Sequence, residues 1–455
     1  MLYRIKIDIC IIAFFINTSC HNNAEPSTEY DTTSKEYILN EFGQIIETEI
    51  VTSDFEPALN CLGCHPNHYE EWSESMHAHA MKDPIFFSGW NDAKSDFPHT
   101  GERFCIQCHS PSAFVTGEDL SDYSSSEALI EANIHESITA GISCDICHSM
   151  TALSQTVHTG DDIAAVAEYH LNPGEGIKYG SVKNPEQNTY HESAYNPIFK
   201  RSELCLPCHN LTIRDVEAEI TFTEWNRIPG LAMSGAMPCQ ECHMPDKGDG
   251  THDHRFVGVD IDLSYPIGES PLHSAVEEML KSAVELKFGY YNQVLPDSIS
   301  QGETLTIPVS ISSLTAHSLP SGTSFSREAW LEIIIKDDDD TVLYESGVVE
   351  NMESLDSTDT NLLLFTTTLL NESNLPTSSI THAYDIANNS LPAFSDRFYS
   401  YEYSQINNTN TFLIIDVRML FRSFKPHLLL DHSDLLENLP IFEMASIRDT
   451  VYIQP

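Results

Sequence analysis

The chain has 455 residues and a formal net charge of −45, because 68 acidic side chains face only 23 basic ones. A surface of this sign repels the phosphate backbone of nucleic acids, so we expect no nucleic-acid partner. Hydrophobic residues make up an ordinary 41% of the chain, which excludes a disordered chain and a polytopic membrane protein.

Residues 1–20 predict a signal peptide of the lipoprotein type. Arg4 and Lys6 precede an apolar run at 9–16 that is too short to span a bilayer as a helix. Cys20 follows small or polar residues and is a candidate lipidation site. An ordinary cleaved signal with an incidental cysteine is the alternative. We therefore expect a secreted protein, in the periplasm or as a lipoprotein at the outer membrane or cell surface, attached to membrane at most through this N-terminal lipid.

Residues 21–53 are polar and predict a tether, whereas residues 54–260 carry a repeated cysteine motif. Ten of the twelve cysteines form five Cys-x-x-Cys-His motifs, at 61–65, 105–109, 144–148, 205–209 and 239–243. We number them motifs I to V in chain order. The cysteine pairs are Cys61 and Cys64, Cys105 and Cys108, Cys144 and Cys147, Cys205 and Cys208, and Cys239 and Cys242; the histidines that follow them are His65, His109, His148, His209 and His243.

This spacing has a chemical reason. Two thiols three positions apart can form thioethers with the two vinyl groups of one haem, and the next imidazole then ligates the iron from the proximal face. Structural zinc sites usually combine two Cys-x-x-Cys pairs and do not require a histidine after each pair, and a thioredoxin-like redox pair would occur once. The sequence therefore predicts a pentahaem cytochrome c domain at 54–260 that binds five haem c groups.

Each iron also needs a sixth ligand or keeps an open face. Sixteen histidines lie outside the motifs, and an ordinary solvated or structural role is the alternative for each of them. His68 and His79 compete with His77, and His252 and His273 compete with His254. The candidate distal ligands in this segment are His77, His191, His254, His158, His135 and His99.

The fold class predicted is an α-rich, loop-rich cytochrome domain followed by an all-β sandwich. About 200 residues around five haems cannot build a large apolar core, so the porphyrins would supply much of the buried surface. Residues 261–288 predict a connecting helix or linker, because apolar residues at 276, 280, 283 and 284 follow helical spacing. Residues 289–455 predict the β-sandwich from period-two alternation at 305–311, 331–335 and 413–421.

Four adjacent carboxylates, Asp337 to Asp340, lie between two of the predicted strands. They could hold calcium or form a solvated hairpin turn, and the turn is the favoured interpretation.

The run from Cys61 to Phe86, which includes Trp72, Ser75 and His77, resembles the first haem segment of a bacterial multihaem cytochrome family. That family includes the tetrahaem electron carriers of ammonia oxidisers and is related to hydroxylamine oxidoreductase and pentahaem nitrite reductase. Segments 141–148 and 239–245 look like the family's later segments. The resemblance implies that His77, His191 and His254 occupy distal-ligand positions.

A second resemblance concerns the C-terminal part. Residues 315–322, followed by 327–332, resemble the immunoglobulin-like domain that is fused behind the haem domain in some members of the family. This implies that His317 caps a haem from the second domain, with an ordinary loop histidine as the alternative.

Two functions fit these features. The first is electron transfer between redox partner proteins by mostly six-coordinate haems. The alternative is an oxidoreductase that acts on a small nitrogen or sulfur compound at one open-faced haem. The nitrite reductases carry a lysine in place of the motif histidine at their catalytic haem, and all five motifs here end in histidine, which disfavours that chemistry. The β-domain could in addition serve as a docking module.

We expect matured protein to contain five irons per chain, because each motif would attach one haem through two thioethers. Iron analysis and intact mass, with thiol titration of the unfolded protein, check this expectation. The mass of bare polypeptide, or ten titratable motif thiols, would contradict it.

Overall fold

A computed structural model of the chain describes residues 33–154, 158–160, 163–231, 236–404 and 411–454, with the backbone alone at 158–160. The predicted signal peptide and Cys20 lie outside the described residues. Thr33–Pro455 form one compact unit. None of the helices in the described part of the chain is long and apolar enough to cross a bilayer.

The part of the chain up to about residue 260 consists of short helices and small sheets joined by loops. Its helices are α1 (Leu59–Leu62), α2 (Pro66–Glu74), α3 (Met76–His79), α4 (Pro84–Asp96), α5 (Gly101–His109), α6 (Pro111–Thr116), α7 (Ser126–Glu131), α8 (Glu136–Thr139), α9 (Cys144–His148), α10 (Thr221–Asn226) and α11 (Cys239–His243). Its strands are β1 (Tyr37–Leu39), β2 (Ile45–Thr48), β3 (His158–Gly160), β4 (Ile177–Gly180), β5 (Glu192–Tyr195), β6 (Leu211–Ile213) and β7 (Val216–Glu219). Short 3-10 helices cover Thr52–Asp54, Pro197–Lys200 and Ser202–Leu204.

The longest helix of this part, α4, shows how the sequence sets a helix boundary. The Asp83 side chain accepts a hydrogen bond from the Ile85 amide (2.9 Å), and Pro84 occupies the first turn, where its missing N–H costs nothing. The helix buries Phe87 and Trp90. Helix α5 approaches α4 so closely that a Cβ at Gly101 would lie 2.0 Å from the Ala93 carbonyl oxygen, so glycine is required there.

The prediction of a tether over 21–53 is wrong for its described residues. Strands β1 and β2 pair as an antiparallel hairpin, and the hairpin is followed by Ile50, which is fully buried. Ile50 and Phe55 belong to the same buried cluster as Phe114 and Tyr169. The apolar residues scattered among the polar ones are enough to anchor this segment on the core.

The C-terminal part contains most of the β-structure. It comprises α12 (His273–Ala283), β8 (Val284–Phe288), β9 (Ser298–Ser300), β10 (Leu305–Ser313), β11 (Glu328–Lys336), β12 (Val342–Ser346), β13 (Leu364–Phe365), β14 (Thr367–Leu370), β15 (Pro376–Thr377), β16 (Asp385–Asn388), β17 (Asp396–Tyr403), β18 (Phe412–Arg422), α13 (Ser433–Glu437) and β19 (Phe442–Gln454). Two 3-10 helices cover Ile380–His382 and Pro426–Leu429.

These strands form two main sheets that share one core. One has the order β17-β10-β8, and the other has the order β12-β11-β18-β19-β9, with β13 paired to β11. Alternate residues of β10, β11 and β18 point inward, and Ile307, Ile333 and Val417 are all fully buried in the same cluster. A third, small sheet has the order β15-β14-β16.

The connecting helix is shorter than the predicted 261–288. Helix α12 ends at Ala283, and residues 284–288 form β8, which pairs antiparallel with β10. The buried Val284 and Leu286 alternate with the exposed Glu285 and Lys287. This period-two pattern is typical of a strand, and pairing with β10 favours the strand over a longer helix. The acidic run at Asp337 is a hairpin turn, since the Asp337 carboxylate accepts hydrogen bonds from the amides of Asp339 (3.0 Å) and Thr341 (2.9 Å).

Arg422 on β18 is fully buried and pairs with Glu328 on β11. We expect Glu328→Ala to lower the free energy of unfolding by about 3–5 kcal/mol, because it leaves a buried guanidinium without its carboxylate. Urea denaturation followed by circular dichroism measures the change.

Glu285→Ala is the matched control, because Glu285 pairs with Lys287 at the surface, with half of its side chain exposed. It should change the free energy of unfolding by less than about 0.5 kcal/mol. Equal effects of the two substitutions would show that the buried pair does not stabilise the sheet.

Candidate haem-binding site

Short helices hold the motif side chains. Motif III is helix α9, motif V is helix α11, and motif II forms the end of α5. Residues three apart lie on one side of a helix, so both thiols of a motif face the same way. Motif I spans the end of α1 and the start of α2, and motif IV follows the 3-10 helix Ser202–Leu204.

All five motifs face one connected cavity of about 2830 Å³. Every motif cysteine and every motif histidine lines it. A fifth of this volume is about 570 Å³, which lies within the range of roughly 300–1,000 Å³ found for cofactor-sized sites. The total volume is therefore large enough for five such groups.

The motif cysteines are free thiols throughout the described residues. Three contacts join thiols of different motifs: Cys61 with Cys144, Cys108 with Cys208, and Cys205 with Cys239. The hydrogen bond from Cys205 lowers the pKa of Cys239 to about 7. Motif I thus lies beside motif III, motif II beside motif IV, and motif IV beside motif V.

Three motif histidines are oriented by backbone carbonyls. The Nδ1 atoms of His109, His148 and His243 lie 3.1, 2.7 and 2.6 Å from the carbonyl oxygens of Ala80, Tyr179 and Val257. An imidazole that donates through Nδ1 keeps the Nε2 lone pair for a metal. Burial lowers the pKa of all three, that of His109 to about 4, so the rings are neutral at pH 7, which is the form that ligates iron.

Four motif histidines each face a second histidine. The ring centroids are 6.3 Å apart for His65 and His191, 6.4 Å for His209 and His77, 6.3 Å for His148 and His254, and 6.3 Å for His243 and His317. Two metal–imidazole bonds of about 2 Å, with roughly 1 Å from each nitrogen to its ring centre, give about 6 Å between centroids. Each pair is therefore spaced to hold one iron between its two rings.

His77 also fits a bound metal by its surroundings. Its Nδ1 is buried and has no hydrogen-bond partner among the described residues. Burial, and to a smaller extent the nearby His209 and His243, lower the pKa of His77 to about 3. The ring is therefore neutral at pH 7. A buried imidazole without a partner costs free energy unless a bound group contacts it.

The remaining candidates have different surroundings. His135 is exposed and caps α8, because its Nδ1 accepts a hydrogen bond from the Ser137 amide (3.2 Å). His99 is exposed as well, and neither ring lines the cavity. The prediction that these two are distal ligands finds no support in the geometry, since both residues are exposed and neither is part of the cavity lining. His158 begins β3, and its side chain lies outside the described residues.

The competing histidines have different contacts. The Nε2 of His79 pairs with Asp262 (3.4 Å). His252 lines the cavity, and its Nδ1 lies 2.8 Å from the Met244 carbonyl oxygen, the same kind of contact that the motif histidines make. His273 packs against Phe442. His68 lines the cavity and packs edge-on against His254, at 4.7 Å between centroids.

Motif II has a different environment from the other four. Phe86 stacks on His109 with 3.9 Å between ring centroids. Among the described side chains, no second histidine ring lies opposite His109. The sequence did not indicate which histidine faces which motif. His77 is near motif I in the sequence, yet it faces the histidine of motif IV.

The chain resembles known cytochromes in sequence and in fold. Residues 60–149, which contain motifs I to III, match the family described as cytochrome c554 and c-prime. A pentahaem cytochrome c552 from Thermochromatium tepidum has a similar structure, with a TM-score of 0.62 and 19% identity over 87% of this chain and 99% of that one. No curated protein matches the chain.

Other solved structures share much less. A CARDB domain from Pyrococcus furiosus covers 38% of this chain and 86% of its own length at 9% identity, with a TM-score of 0.17. A β-glucosidase from Listeria innocua covers 38% of this chain and 16% of its own length at 12% identity, with a TM-score of 0.15. Neither similarity is close enough to carry an argument. The family match, the pentahaem neighbour and the five motifs together support a multihaem c-type cytochrome.

Proposed function

We propose that this chain is a pentahaem c-type cytochrome that transfers electrons in the periplasm or at the cell surface. The observation that carries the proposal is the spacing of the four imidazole pairs, which face each other across a cavity lined by all ten motif thiols. Two imidazoles that ligate one iron close both of its faces, and such a haem exchanges electrons without binding a substrate. The similarity in fold to the pentahaem cytochrome c552 from Thermochromatium tepidum also supports a count of five.

The motif residues would hold the haems in the following way. Each cysteine pair would bind one haem through thioethers, and the next histidine would ligate its iron. When bound, haem c supplies a one-electron iron centre. The distal ligands would be His191 for motif I, His254 for motif III, His77 for motif IV and His317 for motif V.

The contacts between motifs would make these centres a relay. The thiol contacts join motif I to III, II to IV and IV to V. Motifs III and IV also lie near each other, since Cys208 of motif IV acts electrostatically on Cys147 of motif III. An electron could therefore pass from motif I through motifs III and IV to motif V, with motif II adjoining motif IV.

Charge suggests the kind of partner. The net charge of −45 favours basic redox partner proteins, and carboxylates near a haem should lower its potential, because the oxidised form is the more positive one. We further propose that the C-terminal part is an immunoglobulin-like sandwich behind an α-rich haem domain, and that the export signal with Cys20 places the protein outside the cytoplasm, anchored by one lipid.

Motif II favours a second candidate function. His109 faces no second histidine among the described side chains, so its haem could bind an external ligand such as a small nitrogen or sulfur compound. Turnover would also require acid–base groups beside that haem. Reactivity would then be confined to motif II.

We expect His77→Ala to add one carbon monoxide-binding haem per chain, because the motif IV iron loses its distal ligand. Absorption spectra of the reduced holoprotein, titrated with carbon monoxide, measure this number. His99→Ala, which replaces an exposed histidine away from the cavity, is the control and should leave the number unchanged.

The wild-type spectra separate the two functions. If no haem of the wild-type protein binds carbon monoxide, the second candidate function is excluded. One carbon monoxide-binding haem per chain would favour that function. If His77→Ala left carbon monoxide binding unchanged, the assignment of His77 to an iron, and with it the pairing that carries the proposal, would be wrong.

A further inference from the structure

One of the four paired histidines comes from the C-terminal β-structure. His317 lies in the loop between β10 and β11, and its ring faces His243 of motif V. Within the loop, the Thr315 hydroxyl donates to the His317 carbonyl oxygen (2.6 Å), and the His317 Nδ1 lies 3.0 Å from the Ser318 carbonyl oxygen. These local contacts orient the ring relative to its own loop. They do not connect the loop to residues 54–260, which carry the five motifs and are called the haem segment below.

Glu224 on α10 connects the loop to the haem segment. One oxygen of its carboxylate, Oε2, accepts a hydrogen bond from the Ser318 amide (3.0 Å) and another from the Ser321 hydroxyl (2.6 Å). The two donors lie on either side of the Leu319–Pro320 turn, directly after His317. Hydrogen bonds to a carboxylate are stronger than those between neutral groups, so one side chain holds both ends of this turn.

Neighbouring contacts reinforce the same junction. The hydroxyl of Thr221, three residues before Glu224, lies 2.9 Å from the Ser321 hydroxyl. Arg327 hydrogen-bonds to the Ser321 carbonyl oxygen and pairs with Asp260 (2.5 Å), which precedes α12. The loop that presents His317 is thus fastened at Ser318 and Ser321 to residues of the haem segment.

We propose that Glu224 is a positioning residue that holds His317 opposite His243, so that the motif V iron keeps two histidine ligands. The inference rests on the proposed function, because it requires an iron between these two rings. Without the carboxylate, Ser318 and Ser321 lose their common acceptor. The His317 loop is then free to move away from motif V, and the iron loses its distal ligand.

The test compares variants of the haem-loaded full chain by carbon monoxide binding of the reduced protein. Glu224→Ala should raise carbon monoxide uptake by up to one haem equivalent per chain and produce a high-spin signal in the oxidised protein. Glu224→Gln, which keeps an acceptor oxygen, should restore most of the wild-type spectrum. His317→Ala marks the full effect, one additional reactive haem.

Glu217→Ala is the matched control. It also removes a carboxylate, but Glu217 on β7 pairs with Arg227, and 42% of its side chain is exposed. It should leave carbon monoxide uptake at the wild-type value. A merely structural role for Glu224 would lower stability without changing the ligand state of an iron, so the spectra separate the two roles.

Two results would overturn different parts of the argument. If His317→Ala adds a reactive haem but Glu224→Ala does not, then Glu224 does not position the ligand, while the ligand assignment stands. If His317→Ala adds none, the pairing of His317 with motif V is wrong, and with it the inference. If Glu224→Ala fails to accumulate, Ser321→Ala gives the same measurement: a partial rise supports the inference, and an unchanged uptake overturns it.

Discussion

Pairs of imidazoles face each other across a shared cavity, and the rest of this structure depends on that constraint. Each pair joins a motif histidine to a histidine far away in the sequence: His65 to His191, His209 to His77, His148 to His254 and His243 to His317. An iron held between two such rings would close a loop of more than 70 residues. Ligand binding of this kind contributes directly to folding, because the site does not exist in the unfolded chain.

This constraint explains why the haem segment consists of short helices, small sheets and loops. Its helices are mostly one or two turns long, and its sheets have two or three strands, which would be marginal as an isolated fold. Most of these elements border one cavity of about 2830 Å³. Short helices and loops can place many ligands around large flat groups, whereas long packed helices would fill the same space with their own side chains.

The C-terminal part takes part in the same site. Its two sheets have a continuous apolar core of their own, and buried ion pairs such as Arg422 with Glu328 join their strands. The loop before β11 reaches the cavity with His317, and the 3-10 helix Ile380–His382 packs near motif II, where Ile380 contacts the cluster around Phe104. The β-structure therefore contributes residues to the cavity.

Local patterns in the sequence determined much of this protein. The five motifs specify thiol and imidazole positions, because the chemistry of attachment is satisfied within five residues. Alternation at 305–311, 331–335 and 413–421 marks three strands whose inward residues the structure buries, since the side chains of a strand alternate between its two faces. The same kind of pattern, at Val284 and Leu286, ends α12 earlier than its helical spacing suggested.

Only the tertiary structure decided which histidine faces which motif. Proximity in sequence would assign His77 to motif I, yet Ser75 caps α3, and the chain turns there so that His77 faces motif IV. His135 and His99 were also candidates by sequence, and the structure leaves both exposed and outside the cavity lining. The physical reason is that a distal ligand is defined by distance and orientation across a cavity. Those depend on how every surrounding element packs, and no local run of residues encodes them.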